Sequence, residues 1–417
     1  MANSLLTINM ITREAVRLWK NSNAFIQNVD MQYDDTFAVG GAKIGTALRI
    51  RLPNDYTVAT GPALSVQDTV EQSTTLVLST QKNVGVSFTT VDRTMSLDDY
   101  SRRVLAPAVN NLVGSVAMDI MSGAEGGISN FVANQDANNN ILTPNASTYL
   151  NAGASLSINS APTANWKIVN GPRTEARVVA SLSGLLNPQT ELSNQYITGR
   201  MYDALGFIWM RDQTAIIHTT GSLAQGSATV NGAGQTGNTL TVNSITGTLN
   251  AGDVIAIAGV NGVNRANYNT LGVAAQFVVT APVASGATSI PIYPAIIPPA
   301  SSAAYAGLPY TPQQYQTVTA SPANNATVTP FANASTTYRE NLAYAPDAIT
   351  LVVAPLWIPP NEKGVIAAAR HEYDRLSMRS LVCYEPSTDQ PIDRLDILFG
   401  SGVPRPEWIV QAADSTP

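Results

Sequence analysis

Few residues in this chain could do metal chemistry, because it has two histidines and one cysteine. His371 begins the sequence HEYDR (371–375), which starts like the helical zinc-protease motif, where two histidines four residues apart bind zinc and a glutamate activates water. The position of the second histidine is Arg375 here, a cation that repels a metal. The segment is therefore predicted to be a charged helix face or loop, and no metal site is expected.

Motifs for nucleotide binding and covalent catalysis are also missing from the sequence. GGAKIG (40–45) lacks the spacing of a phosphate-binding loop and the Ser or Thr that would follow its lysine. No Gly-X-Ser-X-Gly or Cys-X-X-Cys occurs, and the paired Asp98 and Asp99 are typical of charges at a helix start. We expect no enzymatic activity and no cofactor. A glycan-cleaving enzyme stays open as a third alternative for the function, because such enzymes need only a pair of Asp or Glu residues for catalysis.

The composition indicates a surface that partners cover. Only 12% of the 417 residues are charged, against roughly 25% in ordinary soluble domains, and isolated proteins use surface charge to stay apart. The net charge of −6 and the absence of a basic run argue against electrostatic binding of nucleic acid. Cys383 is the only cysteine in the sequence, so an intrachain disulfide is excluded, and the residue is predicted to lie in the core. Neither a signal-peptide core nor an apolar run of 18 residues occurs, so no membrane span is expected.

Residues 1–33 are predicted to form an amphipathic helical arm with Thr12 as a possible cap. Apolar residues recur at helical spacing on one stripe, which comprises Ile8, Ile11, Ala15, Leu18 and Trp19. Arg13, Arg17 and Lys20 lie off that stripe and form a basic edge.

Residues 34–95 are predicted to form extended β hairpins. In LRIRLP (48–53), apolar residues alternate with Arg49 and Arg51, which places the arginines on the opposite face. The same alternation runs from Thr74 to Thr90, on both sides of a predicted turn at Gln81-Lys82-Asn83.

A long helical pattern follows, with Ser96 as its cap and Gly123 just past its end. Pro107 should kink this helix or end a first short piece. Residues 129–170 are predicted to be loops with short strands. Two further helices are predicted, from Thr174 to Leu186 and from Ser193 to Leu205.

The segment from Gln213 to Tyr338 contains only two charged residues, Asp253 and Arg265. From about Gly221 onward, short apolar runs recur every ten residues or so, which predicts a small all-β barrel or sandwich over 221–338. Charge returns at Arg339, and residues 339–417 contain further strand patterns. The β segment is therefore interpreted as an insertion within a domain made of residues 96–220 and 339–417.

Several motifs, in this order, resemble the major coat protein of tailed double-stranded-DNA phages, more narrowly the short-tailed enterobacterial type. They are GDVIAIAGVN (252–261) with QFVVT (276–280), PDAITLVVAP (346–355) and FGSGVPRPEW (399–408). The resemblance implies an α+β fold with an N-terminal arm, an extended β-hairpin loop, a spine helix, peripheral and axial domains, and a telokin- or immunoglobulin-like insertion domain. The family type has a long charged loop early in that insertion. The matching stretch in this chain, NGAGQTG (231–237), is short and uncharged.

The resemblance implies that the chain self-assembles into an icosahedral shell around the phage double-stranded DNA, as hexamers and pentamers and without sequence-specific DNA binding. It also implies a scaffolding protein and a portal during assembly, no membrane, assembly in the host cytoplasm and a final place in the virion capsid. Candidate assembly contacts are Arg49 and Arg51 towards a neighbouring subunit, and Arg13, Arg17 and Lys20 towards the scaffold.

Some shells of this fold are cross-linked between a loop lysine and a neighbouring asparagine. Lys43 and Lys82 lie in the corresponding region, but the narrower family does without that bond, and no cross-link is expected. The main alternative function is a bacterial surface or adhesin-like structural β protein. The richness in Asn, Thr and Gly favours it, and the lack of a signal peptide opposes it.

Overall fold

The computed structural model describes residues 8–31, 47–52, 56, 58, 61–62, 66, 73–87, 101–182, 198–265, 267–299, 312–358, 365–373, 376–385 and 390–415. Helices and strands both occur along the chain, which confirms the predicted α+β class. The chain divides into two compact units. The first comprises Met1–Ile50, Thr75–Gly123 and Ile349–Gly402, and the second comprises Arg51–Thr74, Ala124–Ala348 and Val403–Pro417.

The described α-helices are α1 (Ile8–Ser22), α2 (Ala24–Asn28), α3 (Ala106–Glu125), α4 (Ala146–Ile158) and α5 (Pro172–Ser181). A π-helical turn (Ser101–Leu105) precedes α3, and short 3-10 turns lie at Pro312–Tyr315 and Pro406–Trp408. The described strands are β1 (Ala47–Arg51), β2 (Ser73–Val77), β3 (Thr80–Ser87), β4 (Asn130–Ala133), β5 (Lys167–Asn170), β6 (Asp203–Ala204), β7 (Phe207–Arg211), β8 (Ile217–Thr219), β9 (Ala228–Thr229), β10 (Gly237–Thr241), β11 (Val254–Val263), β12 (Thr270–Val279), β13 (Ser289–Ile296), β14 (Thr327–Pro330), β15 (Thr337–Tyr344), β16 (Thr350–Ala354), β17 (Val365–Tyr373), β18 (Leu376–Glu385), β19 (Gln390–Gly402) and β20 (Ile409–Asp414).

The N-terminal helix α1 buries the predicted apolar stripe, with Ile11, Ala15 and Trp19 in the core. Its expected cap was wrong. Thr12 lies inside the helix and is buried, and its hydroxyl donates a hydrogen bond to the Ile8 carbonyl at 2.7 Å. This is the back-bonded arrangement that a threonine adopts when it has no free helix end to cap.

The long helix α3 buries one continuous stripe, made of Ala108, Val109, Leu112, Val113, Val116, Ala117, Ile120, Met121 and Ala124. The change from π-helix to α-helix occurs at Ala106, directly before Pro107, where the sequence predicted an irregularity. Gly123 is inside the helix, which continues to Glu125, so the predicted end at Ser122 was three residues early. By length and composition Ser101–Glu125 could cross a membrane, a property that buried core helices share. Ser96, Asp98 and Asp99 lie outside the described residues.

The sheet of the first unit has the order β16-β19-β18-β17, and β3 pairs with β19. The predicted hairpin around Gln81-Lys82-Asn83 was wrong, because these residues lie inside β3 and pair with β19. The preceding strand β2 pairs with β1 instead. Polar residues here do not mark a turn, because Lys82 forms an ion pair with Asp119 of α3 at 2.7 Å.

The main sheet of the second unit has the order β4-β20-β15-β5-β7-β6, with β8 also paired to β15. Residues 129–170 were predicted to be loops with short strands, and the short strands are observed as β4 and β5, but the stretch also contains helix α4, which was not predicted. The helix begins with a capping box, in which the side chains of Asn145 and Thr148 accept hydrogen bonds from each other's backbone N–H groups. These two residues were a sign of the helix start in the sequence. The helix predicted for Thr174–Leu186 is observed as α5. The helix predicted for Ser193–Leu205 is wrong at its C-terminal end, because β6 occupies Asp203–Ala204, and residues 193–197 lie outside the described part of the chain.

The charge-poor segment forms a six-stranded sheet with the order β10-β13-β12-β11-β14-β9. Its first and last strands are joined by a bridge between Val230 and Val242, so the sheet closes into a barrel. The barrel encloses a cluster of buried residues that all lie between Leu223 and Val328. The recurring apolar runs predicted to be strands are confirmed, and a turn at residues 251–252 precedes β11.

Candidate functional site

The basic edge predicted on the N-terminal arm is only partly a free cationic surface. Arg13 is exposed, while the guanidinium of Arg17 binds both carboxylate oxygens of Glu14 at 2.6 and 2.8 Å. Glu14 also accepts a hydrogen bond from the Ser101 hydroxyl at 2.8 Å. The hydrogen bond from Arg17 is the main reason that the pKa of Glu14 is lowered. Lys20 belongs to α1, and its side chain is outside the described part of the structure.

Arg49 and Arg51 lie together on the exposed face of β1, as the alternation predicted. Between them, Ile50 is 2% exposed and packs in a cluster with Leu76, Leu78 and Val352. The buried isoleucine therefore fixes the direction in which both arginines project.

His371 lies on β17, paired with Met378 of β18, so the expected helix face or loop was wrong. The segment alternates in side-chain direction as a strand does, and the helical spacing of a zinc motif has no meaning there. Arg375 is outside the described residues. Cys383 is half-buried rather than fully in the core.

A buried cluster that the sequence analysis missed surrounds the other histidine, His218 of β8. Its Nε2 lies 2.8 Å from Oδ1 of Asp253, and its Nδ1 is hydrogen-bonded to Oε1 of Glu125. Oε1 of Glu340 lies 4.0 Å from the same Nδ1. Three carboxylates therefore converge on one imidazole, which is 4% exposed.

Local backbone geometry brings these four side chains together. Asp253 ends the turn before β11, and its Oδ2 accepts hydrogen bonds from the backbone N–H groups of Asn250 and Gly221 at 2.8 and 3.0 Å. Gly252 has φ +96, and a Cβ there would come within 2.7 Å of the Glu125 carboxylate. Only glycine lets the end of α3 approach the turn this closely.

The electrostatics of the cluster follow from burial and close charges. Burial by itself lowers the pKa of His218, but the hydrogen bonds with Asp253 and Glu125 outweigh it and raise the pKa to about 10. Burial, followed by repulsion from Glu125, raises the pKa of Glu340. Neither oxygen of Glu340 accepts a hydrogen bond from any residue in the described ranges.

The second charge of the charge-poor segment is also paired. Arg265 approaches Glu407 at 3.5 Å, and Arg405 approaches the same carboxylate oxygen at 3.3 Å. Both charges of the segment thus contact residues outside 221–338. The sequence signal for this was the isolation of Asp253 and Arg265 in an otherwise uncharged stretch, with His218 near its start.

Among solved structures, similar chains come from Mycobacterium phage Che8 and from the capsid of Ralstonia phage GP4. The first is 10% identical with a TM-score of 0.45 and covers 99% of this chain and 95% of that chain. The second is 7% identical with a TM-score of 0.46 and covers 100% and 94%. The I-domain of the CUS-3 coat protein is 26% identical with a TM-score of 0.20 and covers 26% of this chain and 96% of that chain. No curated protein matches the chain in sequence.

The model of one protein family, described as P22 coat protein, gene protein 5, matches residues 45–412. This match covers most of the chain and favours a coat protein over the surface-protein alternative. The protein is a major capsid protein that forms the shell of a bacteriophage, and it belongs to the P22 coat protein family.

Proposed function

We propose that this capsid protein assembles as hexamers and pentamers into an icosahedral shell around double-stranded DNA, with a scaffolding protein and a portal taking part in assembly. The observation that carries the proposal is the family match over residues 45–412. The low charge content supports it, because a subunit surrounded by neighbours does not need the surface charge of an isolated protein. Assembly takes place in the host cytoplasm.

The interior of the shell holds the DNA without reading its sequence. The net charge of −6 supports this, because affinity for phosphates depends on clustered Lys and Arg. The protein is a structural component of the shell and has no enzymatic activity.

Two sets of residues are proposed as assembly contacts. Arg49 and Arg51 project from β1 towards a neighbouring subunit, and the exposure of both side chains supports this role. Arg13, Arg17 and Lys20 of α1 contact the scaffolding protein. Because Glu14 neutralises Arg17, Arg13 supplies more of the unbalanced positive charge.

Residues 221–338 are proposed to be an insertion domain with its own core. The closed barrel and its internal cluster support this. A second cluster, which includes Phe131, Val254 and Val278, packs the outside of the barrel against β4. Gln276 reinforces that contact, because its side chain exchanges hydrogen bonds with the backbone of Phe131 at 2.7 and 3.0 Å.

Negative-stain microscopy of the protein co-expressed with a phage scaffolding protein tests the assembly. Closed shells of uniform size are expected, and fibres or dispersed monomers would contradict the proposal. The domain boundaries have a separate test, in which residues 221–338 are expressed alone. A cooperative thermal transition with a β-type circular dichroism spectrum is expected, whereas an unfolded fragment would show that the barrel depends on its contact with β4.

A further inference from the structure

We propose that Glu125, His218 and Glu340 bind one divalent transition-metal cation, for which Zn²⁺ is the probe. Each residue offers one donor atom, and the three donor atoms lie within 4.8 Å of one another. The set provides one imidazole nitrogen and two carboxylate oxygens. Imidazole favours zinc and its neighbours in the first transition row over magnesium and calcium.

The unpartnered carboxylate of Glu340 points to a ligand. Glu340 is 1% exposed, and no described residue donates a hydrogen bond to either of its oxygens. Its strand β15 is held by backbone pairing on both sides, so the side chain cannot turn to solvent by a small shift. A buried carboxylate in this state is costly unless a cation or a donor compensates it.

The balance of charge supports the same conclusion. Asp253, Glu125 and Glu340 supply three carboxylates, and His218 supplies at most one positive charge. A divalent cation between Glu125 and Glu340 would compensate both of these carboxylates where they face each other. This relieves the repulsion more completely than a single proton on the imidazole.

Asp253 orients the histidine as metal sites require. Ligating histidines commonly donate their other ring N–H to a carboxylate, which fixes the ring and makes the ligating nitrogen more basic. Here Nε2 of His218 faces Asp253 at 2.8 Å. The two backbone N–H groups on Asp253 hold that carboxylate in place, and Nδ1 is left facing Glu125 and Glu340.

The cluster has both adjustable ligands and an entry path. Zinc binds nitrogen and oxygen donors at about 2.0–2.2 Å, so the donors must move slightly closer together. Glu125 can make this movement, because it is the last residue of α3 and its side chain is 17% exposed. The same exposure lets a cation reach the cluster from solvent.

The test uses the full-length protein after dialysis against a chelator, with zinc binding followed by calorimetry and by metal analysis. One Zn²⁺ per chain is expected, together with a higher unfolding temperature when zinc is added. Glu340→Gln should abolish stoichiometric binding, and Asp253→Asn should weaken it by about 10–100-fold. The matched controls Glu372→Gln and His371→Asn, on β17, should bind as the wild type does.

Two outcomes would overturn the proposal. One is the absence of stoichiometric zinc in the wild type, which would leave a protonated histidine held between carboxylates. The other is equal binding by the wild type and Glu340→Gln. If Glu340→Gln fails to fold, the wild type loaded with Co²⁺ decides, because X-ray absorption must show one imidazole nitrogen among oxygen donors. A spectrum without the imidazole contradicts the site.

Discussion

Oδ1 of Asp253 lies 2.8 Å from Nε2 of His218. The only acidic residue between Gln213 and Tyr338 is therefore bound to a buried histidine at the start of that segment. Its other oxygen holds the backbone N–H groups of Gly221 and Asn250. The Asp253 carboxylate therefore stabilises the start of the segment and is not exposed to solvent.

Asp253→Ala should destabilise the protein by about 3–5 kcal/mol, because it leaves Nε2 of His218 and two backbone N–H groups without their buried acceptor. Equilibrium unfolding in urea measures the loss. Asp136→Ala is the matched control, since Asp136 also accepts two backbone N–H bonds but lies in an exposed loop. Equal losses in the two variants would contradict the importance of the buried histidine contact.

Gly252→Ala should destabilise the protein more than Gly259→Ala does. Both glycines have positive φ, so alanine is strained at either position, by about 1–2 kcal/mol. Only at position 252 would the new Cβ also meet the Glu125 side chain, and overpacking of this kind costs about 1–3 kcal/mol more. Thermal unfolding of both variants gives the comparison. A larger loss for Gly259→Ala would show that the close approach of Glu125 is not important.

Arg49→Ala combined with Arg51→Ala should lower the yield of closed shells. The free energy of unfolding of the monomer should change by less than about 0.5 kcal/mol, because both side chains are exposed. Sedimentation of assembly reactions measures the yield. The double lysine variant keeps the charge and serves as the control. A normal shell yield from the alanine variant would exclude this contact.

Replacing Arg13, Arg17 and Lys20 together with Ala should produce fewer and irregularly sized shells, because the scaffolding protein would lose its cationic contact. Co-sedimentation with the scaffold and electron microscopy provide the measurement. Glu14→Gln is an informative partner variant, since it releases Arg17 from its ion pair and should not weaken scaffold binding. Unchanged shells from the triple variant would remove the arm from the list of scaffold contacts.

Shells boiled in detergent should give a single band near 44.0 kDa. The Lys82 side chain is engaged within its own subunit, because its Nζ lies 2.7 Å from the carboxylate of Asp119 and donates hydrogen bonds to Ser115. Lys43 is outside the described residues. A ladder of multimers that disappears in Lys82→Ala would identify Lys82 as a reactive group.

The sequence was most informative where one local pattern determines the structure. The alternation around Ile50 placed Arg49 and Arg51 correctly, and the evenly spaced apolar runs located the strands of the barrel. The turn predicted at Gln81-Lys82-Asn83 failed because the polarity of Lys82 serves an ion pair with Asp119, which lies on a different element. No local window contains that information.

The buried cluster could not be predicted for a related reason. Its four members come from the end of a helix, a short strand, a turn and a second strand, so only the folded chain brings them together. Helix α4 was not predicted, because its many small residues obscure the helical spacing of the buried residues Tyr149, Ala152 and Leu156. Its capping residues Asn145 and Thr148 could have revealed it.

The bridge between Val230 and Val242 affects whether copies of this segment can pair with one another when they are crowded together. In a finished shell, many copies of the same segment lie at very high local concentration, and an open strand edge on one copy would template pairing with the next. Backbone hydrogen bonds from Asn231 to Thr241 and from Asn243 to Thr229, at 3.0 and 2.9 Å, occupy the groups that such an edge would expose. A segment with almost no charge to repel its copies is thus protected against amyloid-like stacking by closure of its own hydrogen bonding.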